Sequence, residues 1–511
     1  MVFFLRGFVV QFLSFNDVSF SYPSSINPVL EGITLQFPPG WTGITGDNGA
    51  GKSTFLLLAA GKLAPSTGNI QGSGGIYCSQ RTDDPPLSWE DFFYSGDRAA
   101  QHLMNRLKIN MDYPERWDTL SHGERKRVQL GVALWKNPPL LAMDEPTNHL
   151  DSEGRRLVAM GLKEYEGIGL LVSHDRALLD QLCKNCLFIR SGQAVLRPGG
   201  ITKGLEEEDR EKRELQRRRN NIKTEQNRLA AEADRRRREM ESSGNRYSNR
   251  YVDPKDRDAK GKINRAKLTG KDLTAAKLYK NMQHRISRLD GTLENTAAGG
   301  ERKKGLSLKT AKAKMDRLYY SPAGIIPLGE DRFLKFDELV ILPESRIALT
   351  GPNGAGKSTL IRHITGGLPP QLTLLSVPQE IAAGESEKIL REVFAEDEKT
   401  RGEIIARFSR LGSDPASLLQ SELPSPGEIR KLMIARGVFT EPSLIIMDEP
   451  TNHLDLTSIQ LLEEMLGEVE SALLLVSHDE VFLSKLTDSR WIINSEGVLD
   501  KLYGGFYEKC G

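Results

Sequence analysis

Two stretches of the chain carry residue types that bind nucleotide phosphates. Gly46–Ser53 and Gly351–Ser358 both fit the pattern G-x-x-x-x-G-K-[ST]. The glycines of such a loop let backbone N–H groups face the phosphates, the lysine reaches the β- and γ-phosphates, and the hydroxyl binds Mg²⁺. The sequence therefore predicts two nucleotide sites. The predicted loop residues are Gly46, Asn48, Gly49, Gly51, Lys52, Ser53 and Thr54 in the first copy and Gly351, Asn353, Gly354, Gly356, Lys357, Ser358 and Thr359 in the second.

A pair of adjacent carboxylates follows each loop further along the chain. Asp144-Glu145 and Asp448-Glu449 each close a short apolar run that is typical of a buried strand. Neighbouring residues on a strand point to opposite sides, so the two carboxylates of a pair can divide two tasks. We expect the aspartates to hold Mg²⁺ and the glutamates to act as bases toward an attacking water.

The chain contains an internal duplication. MDEPTNHLD begins at Met143 and again at Met447, and NGAGKST begins at Asn48 and again at Asn353. Both repeats keep an offset of 304 or 305 residues. β-type runs precede both phosphate loops and helical runs follow them, which is the strand–loop–helix context that the motif needs. The sequence therefore predicts two copies of one α/β domain, at residues 1–200 and 319–511.

The order of these motifs resembles that of proteins with two ATP-binding cassettes, and the resemblance implies ATP and Mg²⁺ as ligands. It implies that an aromatic residue, Tyr22, stacks on adenine in the first cassette, while Tyr319, Tyr320 and Phe333 remain alternatives in the second. The other residues that it implies are the glutamine-loop residues Gln80 and Gln379 near Mg²⁺, the interface residues Asp151 and Asp455, the switch histidines His174 and His478, and the signature residues Ser121, Gly123, Glu124, Ser425, Gly427 and Glu428.

In such proteins each ATP is held between the phosphate loop of one cassette and the signature of the other. The resemblance implies that site one pairs Lys52 with Ser425 and that site two pairs Lys357 with Ser121. A single chain then forms both sites as a monomer. The second signature places Pro426 where glycine is usual, and proline lacks a backbone donor. We therefore expect site one to hydrolyse ATP more slowly.

The segment between the cassettes is basic. Residues 201–320 contain 33 Lys and Arg against 19 Asp and Glu, whereas the rest of the chain contains 37 against 50. This asymmetry indicates a polyanionic partner, and the alternative is a solvated helical surface. No run approaches the roughly 18 apolar residues of a membrane span, and the N-terminal stretch lacks a signal-peptide cleavage site. We expect a cytoplasmic protein.

Two apolar stripes predict an antiparallel helical hairpin over 201–318, with a tip near 242–270. Leu215, Ile222 and Leu229 recur every seven residues, and a second stripe runs from Leu278 to Leu293 with coiled-coil spacing. Basic and aromatic residues alternate at the tip, which predicts RNA contact; the alternative is that the tyrosines pack on the opposite helix. The candidate RNA-binding residues are Arg246, Tyr247, Arg250, Tyr251, Lys255, Arg257, Lys262, Arg265 and Lys267.

The repeated DEPTNHLD and the long charged linker resemble the ABC-F family of soluble ATPases, many of which bind the ribosome at the tRNA exit site. Only 41 residues separate Gln80 from Ser121, which leaves no room for the helical arm of some family members. A missing arm with a long linker resembles the ribosome-protection type, in which the tip approaches the peptidyl-transferase centre and an antibiotic leaves. The implied partners are rRNA and P-site tRNA.

Three alternatives remain open at this point. A DNA-binding ATPase of repair or recombination would prefer branched DNA to ribosomes. The motor subunit of a transporter would recruit separate membrane subunits, and the basic segment would obstruct that contact. A nucleotide-gated clamp, in which turnover matters little, would differ from the ribosome-acting ATPase only in its kinetics.

Overall fold

A computed structural model describes most of the chain. The described residues are 12–23, 27–72, 74–148, 150–190, 192–246, 279–289, 315–329, 332–415, 418 and 424–503, with the backbone alone for 239–246 and 383. The chain forms two compact units. One contains Met1–Gly204 and Lys304–Gly511, which include both predicted cassettes, and the other contains Leu205–Lys303.

The first cassette alternates strands and helices around its phosphate loop. Its strands are β1 (Leu13–Phe20), β2 (Leu30–Phe37), β3 (Gly40–Gly46), β4 (Thr67–Gln71), β5 (Ile76–Cys78), β6 (Leu140–Asp144), β7 (Ile168–Val172), β8 (Cys183–Arg190) and β9 (Gln193–Pro198). Its helices are α1 (Lys52–Ala59), α2 (Trp89–Tyr94), α3 (Arg98–Arg106), a 3₁₀ helix (Tyr113–Thr119), α4 (His122–Trp135), α5 (Ser152–Leu162) and α6 (Arg176–Leu182).

Two sheets form the core of the first cassette. The larger has the order β5-β6-β7-β3-β8-β9, with only β9 antiparallel, and the smaller has the antiparallel order β2-β1-β4. Phe15 stacks on Phe55 of α1 with ring centroids 4.6 Å apart, so the smaller sheet packs against the helix that follows the phosphate loop. β3, β6 and β7 are neighbours and parallel, and their carboxyl ends therefore meet at one edge.

The second cassette repeats this plan. Its strands are β10 (Tyr319–Ser321), β11 (Gly324–Pro327), β12 (Phe333–Phe336), β13 (Leu339–Ile341), β14 (Arg346–Thr350), β15 (Leu374–Val377), β16 (Leu444–Asp448), β17 (Ala472–Val476), β18 (Ser489–Ile493) and β19 (Val498–Tyr503). With α7 (Ile201–Arg246) and α8 (279–289) counted before them, its helices are α9 (Lys357–Gly366), α10 (Ala383–Ala395), α11 (Glu398–Arg410), α12 (Pro426–Phe439), α13 (Leu456–Glu468) and α14 (Glu480–Leu486).

The sheets of the second cassette are joined differently. β12 pairs with β19, so the counterpart of the small sheet extends the main one into the order β11-β12-β19-β18-β14-β17-β16-β15. β14, β16 and β17 again bring the phosphate loop, the carboxylates and the histidine to one edge. The predicted strand–loop–helix context of both phosphate loops is confirmed.

The unit Leu205–Lys303 contains most of α7 and the helical stretch α8. Ile222 is half-buried and Leu229 is buried, whereas Leu215 is 53% exposed, so only part of the predicted first stripe is covered. Arg285 of α8 lies 3.1 Å from Glu225 of α7, which places these two helices side by side. None of the helices in the described part of the chain is long and apolar enough to cross a membrane.

Candidate functional sites

Both phosphate loops curl tightly behind their lysines. The Lys52 ammonium donates to the carbonyls of Gly46 and Asp47 at 2.8 and 3.1 Å, and Lys357 makes the equivalent bonds in the second loop. Gly51 has a φ of +95°, and a Cβ there would lie 2.8 Å from a methyl group of Val29. Only glycine therefore fits the position from which α1 begins.

The two carboxylate pairs lie at the ends of buried strands. β6 and β16 are buried along their whole length, and each delivers an aspartate as its last residue. The glutamates that follow adopt left-handed backbone, with φ of +48° at Glu145 and +49° at Glu449. This conformation is uncommon for a side chain of that size and is held by N–H bonds to the carbonyls of Val172 and Val476.

Each glutamate faces the switch histidine of its own cassette. The Nε2 atom of His174 lies 3.4 Å from Glu145 Oε1, and that of His478 lies 3.5 Å from Glu449 Oε1. Burial lowers the pKa of His174 to about 3 and of His478 to about 4, so both imidazoles are neutral at pH 7. The contact is therefore not an ion pair at that pH.

Burial also shifts the pKa of the two glutamates. It raises the pKa of Glu145 to about 8, and the neighbouring Asp144 adds to the shift. It raises the pKa of Glu449 to about 7, against an opposing effect of the Arg155 guanidinium. Among the described residues, Glu145 Oε1 and both carboxylate oxygens of Glu449 have no hydrogen-bond partner. Buried carboxylate oxygens of this kind are suited to hold a water and accept its proton.

The residues predicted to bind Mg²⁺ fit a cation that is completed by phosphate oxygens. Mg²⁺ commonly takes one or two protein oxygens and fills its shell with water and phosphate. The Ser358 hydroxyl donates to Asp448 at 2.9 Å, so the predicted ligands of the second cassette converge. In the first cassette Tyr77 donates to Asp144 at 3.1 Å. Over the described ranges no group of three His, Cys, Asp or Glu side chains forms a metal site by itself.

A cavity of ≈ 480 Å³ occupies site one. It is built from both cassettes, because Ser425, Pro426 and Gly427 of the second signature line it together with the first phosphate loop. The predicted residues that line it are Tyr22, Asn48, Gly49, Gly51, Lys52, Ser53, Thr54, Gln80, Asp144, Glu145, His174, Ser425 and Gly427. Its size is within the range of small-ligand pockets.

A second cavity of ≈ 450 Å³ occupies site two. The first cassette contributes Leu150 and Arg155 to its lining, whereas Ser121 and Gly123 of the first signature lie outside the lining. The predicted residues that line it are Asn353, Gly354, Gly356, Lys357, Ser358, Thr359, Gln379, Asp448, Glu449 and His478. The two sites therefore differ in how far the opposite signature reaches them.

The interface aspartates connect the cassettes directly. Asp455 accepts a hydrogen bond from the backbone N–H of Asn48 at 3.0 Å, and Asp151 accepts one from Asn353 at 3.5 Å. Neither aspartate lines a cavity, and each also caps the helix that follows it. Gly46 and Gly351 lie behind their loops, against the carbonyls of Ile189 and Ile493, and are likewise outside the lining.

The signature serines and glutamates form capping boxes. The Ser121 hydroxyl accepts from the Glu124 N–H while the Glu124 carboxylate accepts from the Ser121 N–H at 2.8 Å, and Ser425 and Glu428 repeat this arrangement. Both glutamates line neither cavity. Their carboxylates instead order the helix N-termini that present the signatures. Sequence reasoning placed them at the nucleotide.

None of the three alternatives for the adenine-stacking residue of the second cassette lines site two. Tyr319 is buried in the core, while Tyr320 and Phe333 are about half exposed and line neither cavity. Arg332 lines site two instead, with its Nη1 atom 3.4 Å from the Gly354 carbonyl. In site one, Tyr22 lines the cavity and its hydroxyl lies 3.0 Å from that of Thr54.

Sequence reasoning also missed two buried cations, Lys126 and Arg430, behind the glutamine loops. Lys126 donates to the carbonyls of Ser79 at 2.7 Å and of Asp144 at 3.4 Å. Arg430 donates to the carbonyls of Gln379 and, at 2.6 Å, Glu449. Each therefore ties a glutamine loop to a carboxylate pair. A basic residue two positions after each signature glutamate, at the 304-residue offset, could have revealed them.

The predicted RNA-binding tip lies outside the described residues. Tyr247, Arg250, Tyr251, Lys255, Arg257, Lys262, Arg265 and Lys267 have no described structure, and of Arg246 only the backbone, as the last residue of α7, is described.

Comparison with known proteins matches both cassettes to one family. The family described as ABC transporter matches residues 30–148 and 335–452. The solved structure of RNase-L Inhibitor superposes with a TM-score of 0.63 at 18% identity, over 96% of this chain and 91% of that chain. At that identity the likeness concerns the fold, which has two ATP-binding cassettes.

Two relatives are similar over most of the chain. Ribosome protection protein VmlR of Bacillus subtilis (strain 168) is 29% identical over 478 residues, which cover 90% of this chain and 83% of the relative. Tylosin resistance ATP-binding protein TlrC of Streptomyces fradiae is 30% identical over 557 residues, which cover 95% of this chain and 98% of the relative. With paired cassettes and relatives matched across the intervening segment, the chain belongs to the ABC-F family of tandem-cassette ATPases.

Proposed function

We propose that this protein hydrolyses ATP and that its ATP-bound, closed form binds the ribosome at the tRNA exit site. In this proposal the segment 201–318 is directed toward the peptidyl-transferase centre, where it displaces a bound antibiotic. The observation that carries the ATPase part is site one, where residues of both cassettes line one cavity. A nucleotide bound there would contact both cassettes at once and hold them together.

The chain's own residues divide the work of hydrolysis. The phosphate loops and Lys52 or Lys357 bind the phosphates, and Mg²⁺ bound with the nucleotide supplies further neutralisation of phosphate charge. Glu145 and Glu449 in their ionised form orient a water and take up its proton, since their buried oxygens are available and burial raises their pKa to about 8 and about 7, which makes the carboxylates stronger bases. The neutral imidazoles of His174 and His478, 3.4 and 3.5 Å from these carboxylates, position them.

The basic charge of the segment between the cassettes and the similarity to two named relatives support the ribosome as the partner. Residues 201–320 carry an excess of 14 basic groups, while the rest of the chain is acidic by 13. Such a segment favours a polyanion such as rRNA or tRNA. One relative is named a ribosome protection protein and another a tylosin resistance protein. An action on ribosomes places the chain in the cytoplasm.

We infer that α7 and α8 belong to an antiparallel hairpin whose tip holds the basic and aromatic residues predicted to bind RNA. α7 has 46 residues. At about 1.5 Å per residue it is roughly 70 Å long, which is enough to span a large part of a tRNA-sized site. The Arg285–Glu225 contact and the half-buried Met282, Ile286 and Leu289 support the pairing of the two helices.

The test is co-sedimentation with 70S ribosomes of the variant Glu145→Gln/Glu449→Gln, with and without ATP. Removing both bases is expected to trap the closed form, so ATP should move the protein into the ribosome pellet. The matched control is Lys52→Ala/Lys357→Ala, which should stay in the supernatant with ATP because its phosphate loops are impaired.

Two results would each contradict one part of the proposal, either the action on ribosomes or the displacement of an antibiotic. A base variant that binds ATP and stays in the supernatant contradicts ribosome action, and preference for branched DNA would then favour the repair alternative. Cells that express the wild-type chain but remain as sensitive to tylosin and other exit-tunnel drugs as cells with the double variant contradict antibiotic displacement alone.

A further inference from the structure

The two composite sites differ at one position that the duplication aligns. Arg155 follows Asp151 by four residues, and Ile459 follows Asp455 by four residues. Both lie in the first turn of the helices α5 and α13, which the two aspartates cap. One cassette therefore presents a cation to the interface at the place where the other presents an apolar side chain.

Arg155 is held in a fixed position. Its Nε donates to the carbonyl of Leu150 at 3.1 Å, and its Nη1 lies 3.3 Å from the carboxylate of Asp175. Its side chain is only 19% exposed. Such a guanidinium has lost much of its hydration, and its five N–H groups exceed the two acceptors, Leu150 and Asp175, that it contacts within the described ranges of the chain.

Arg155 lies at the edge of both cavities and is the cation that the first cassette presents to site two. It lines that cavity together with Lys357, Glu449 and His478 of the second cassette. In site one the aligned position is Ile459, which is 1% exposed and lines the cavity with uncharged atoms. The guanidinium is also close enough to oppose the rise in the pKa of Glu449.

We propose that Arg155 is a residue of site two contributed by the first cassette, which binds the terminal phosphates of ATP there and stabilises the charge that develops during hydrolysis. The Asp175 carboxylate orients the guanidinium, and site one has Ile459 at this place. Arginine suits this task because its planar fork matches phosphate oxygens and stays charged. This inference rests on the proposed ATP hydrolysis.

The experiment uses the full chain in two backgrounds. Glu145→Gln leaves site two as the hydrolysing site, and Glu449→Gln leaves site one. Arg155→Ile copies the residue of the opposite cassette, Arg155→Lys keeps the charge without the fork, and Arg156→Ile is the matched control because Arg156 is exposed on the same helix. Single-turnover rates and ATP affinities are measured for each, with thermal unfolding midpoints to verify folding.

The expected effect is much larger at site two than at site one. In the Glu145→Gln background Arg155→Ile should lower kcat about 10- to 100-fold, as loss of a charged group that acts on the transition state does. In the Glu449→Gln background the loss should be much smaller, about threefold or less, because Arg155 lies only at the edge of the site-one cavity, beside Asp175 of its own cassette. Arg155→Lys should restore most of the ATP affinity but only part of kcat, and Arg156→Ile should match the parent in both backgrounds.

The inference would be overturned if Arg155→Ile lowered the single-turnover rate equally in both backgrounds and also lowered the thermal unfolding midpoint. Arg155 would then be only the ion-pair partner of Asp175. An unchanged site-two rate and affinity in Arg155→Ile would overturn it as well. If neither background hydrolyses ATP, the proposed ATPase activity is contradicted, and this result does not by itself decide the role of Arg155. In that case the ATP affinity of site two, measured with Lys52→Ala, still decides whether Arg155 binds nucleotide.

Discussion

The Asp455 carboxylate of the second cassette accepts a hydrogen bond from the backbone N–H of Asn48, in the phosphate loop of the first, at 3.0 Å. The equivalent bond from Asn353 to Asp151 measures 3.5 Å. Asn48 also donates through its side chain to the carbonyl of His453 at 3.0 Å. The second cassette therefore makes shorter hydrogen bonds to the phosphate loop of site one than the first cassette makes to the phosphate loop of site two.

Asp455→Asn is expected to weaken ATP binding at site one about tenfold while keeping the cap of the helix that follows it. Asparagine keeps an oxygen for the Ser458 N–H, which Asp455 now caps at 2.7 Å, but turns an N–H₂ group toward the Asn48 donor. Asp151→Asn should weaken ATP binding at site two by only about two- to threefold, because a 3.5 Å bond is weaker.

Equilibrium ATP titrations check this prediction, with Lys357→Ala used to isolate site one and Lys52→Ala to isolate site two. Asp455→Ala serves as the comparison that removes the helix cap too, and its free energy of unfolding should fall by about 1–2 kcal/mol. Equal changes in affinity at the two sites would show that the unequal bond lengths have no energetic consequence.

Site two is expected to hydrolyse ATP faster than site one, by about tenfold. Pro426 is the first residue of α12 and lines site one, and as a proline it has no backbone N–H to donate to a nucleotide bound there, whereas His122 has a backbone N–H at the same position of α4. Single-turnover rates of Glu145→Gln and Glu449→Gln measure the two sites separately. Pro426→His should raise the site-one rate and leave site two unchanged, and comparable parent rates would contradict the prediction.

Arg332→Ala is expected to weaken ATP binding at site two by about two- to tenfold, which is the range of a cation–π contact of a guanidinium with the adenine ring. Arg332→Tyr should retain the affinity, because it reproduces the residue type at Tyr22 in site one. The measurement is competition by inorganic tripolyphosphate as well as by ATP. An equal loss of tripolyphosphate affinity would show that Arg332 binds phosphate rather than base.

Replacing basic residues of the predicted tip by neutral ones should lower the affinity for ribosomes and make that affinity less dependent on salt concentration. The variant replaces Arg250, Lys255, Arg257 and Lys262 by glutamine, which removes up to four phosphate contacts. The slope of log K against log salt concentration should then fall by up to about 3. The control replaces four exposed cassette lysines by glutamine, Lys62, Lys163, Lys388 and Lys399, for the same change in net charge. Similar slopes in both variants would contradict a special role of the tip.

The sequence by itself determines the local machinery. The phosphate loops and the carboxylate pairs follow from motif and spacing because each is specified by a few consecutive residues at the end of a strand. The histidines follow from the resemblance to proteins with two ATP-binding cassettes. The duplication adds the number of cassettes, and the charge asymmetry predicts the polyanion partner. The same local rule explains why the signature serines cap helices: a serine followed three residues later by glutamate is itself a capping box.

Only the tertiary structure decides how the two sites differ. The bond between Asn48 and Asp455 joins residues 407 positions apart, and its length depends on how the cassettes pack. The place of Arg155 in site two, that of Arg332 beside the second phosphate loop, and the exclusion of Ser121 from the site-two lining depend on the same packing. Motif spacing describes each cassette alone, whereas a composite site is defined by surfaces that meet only in the folded chain.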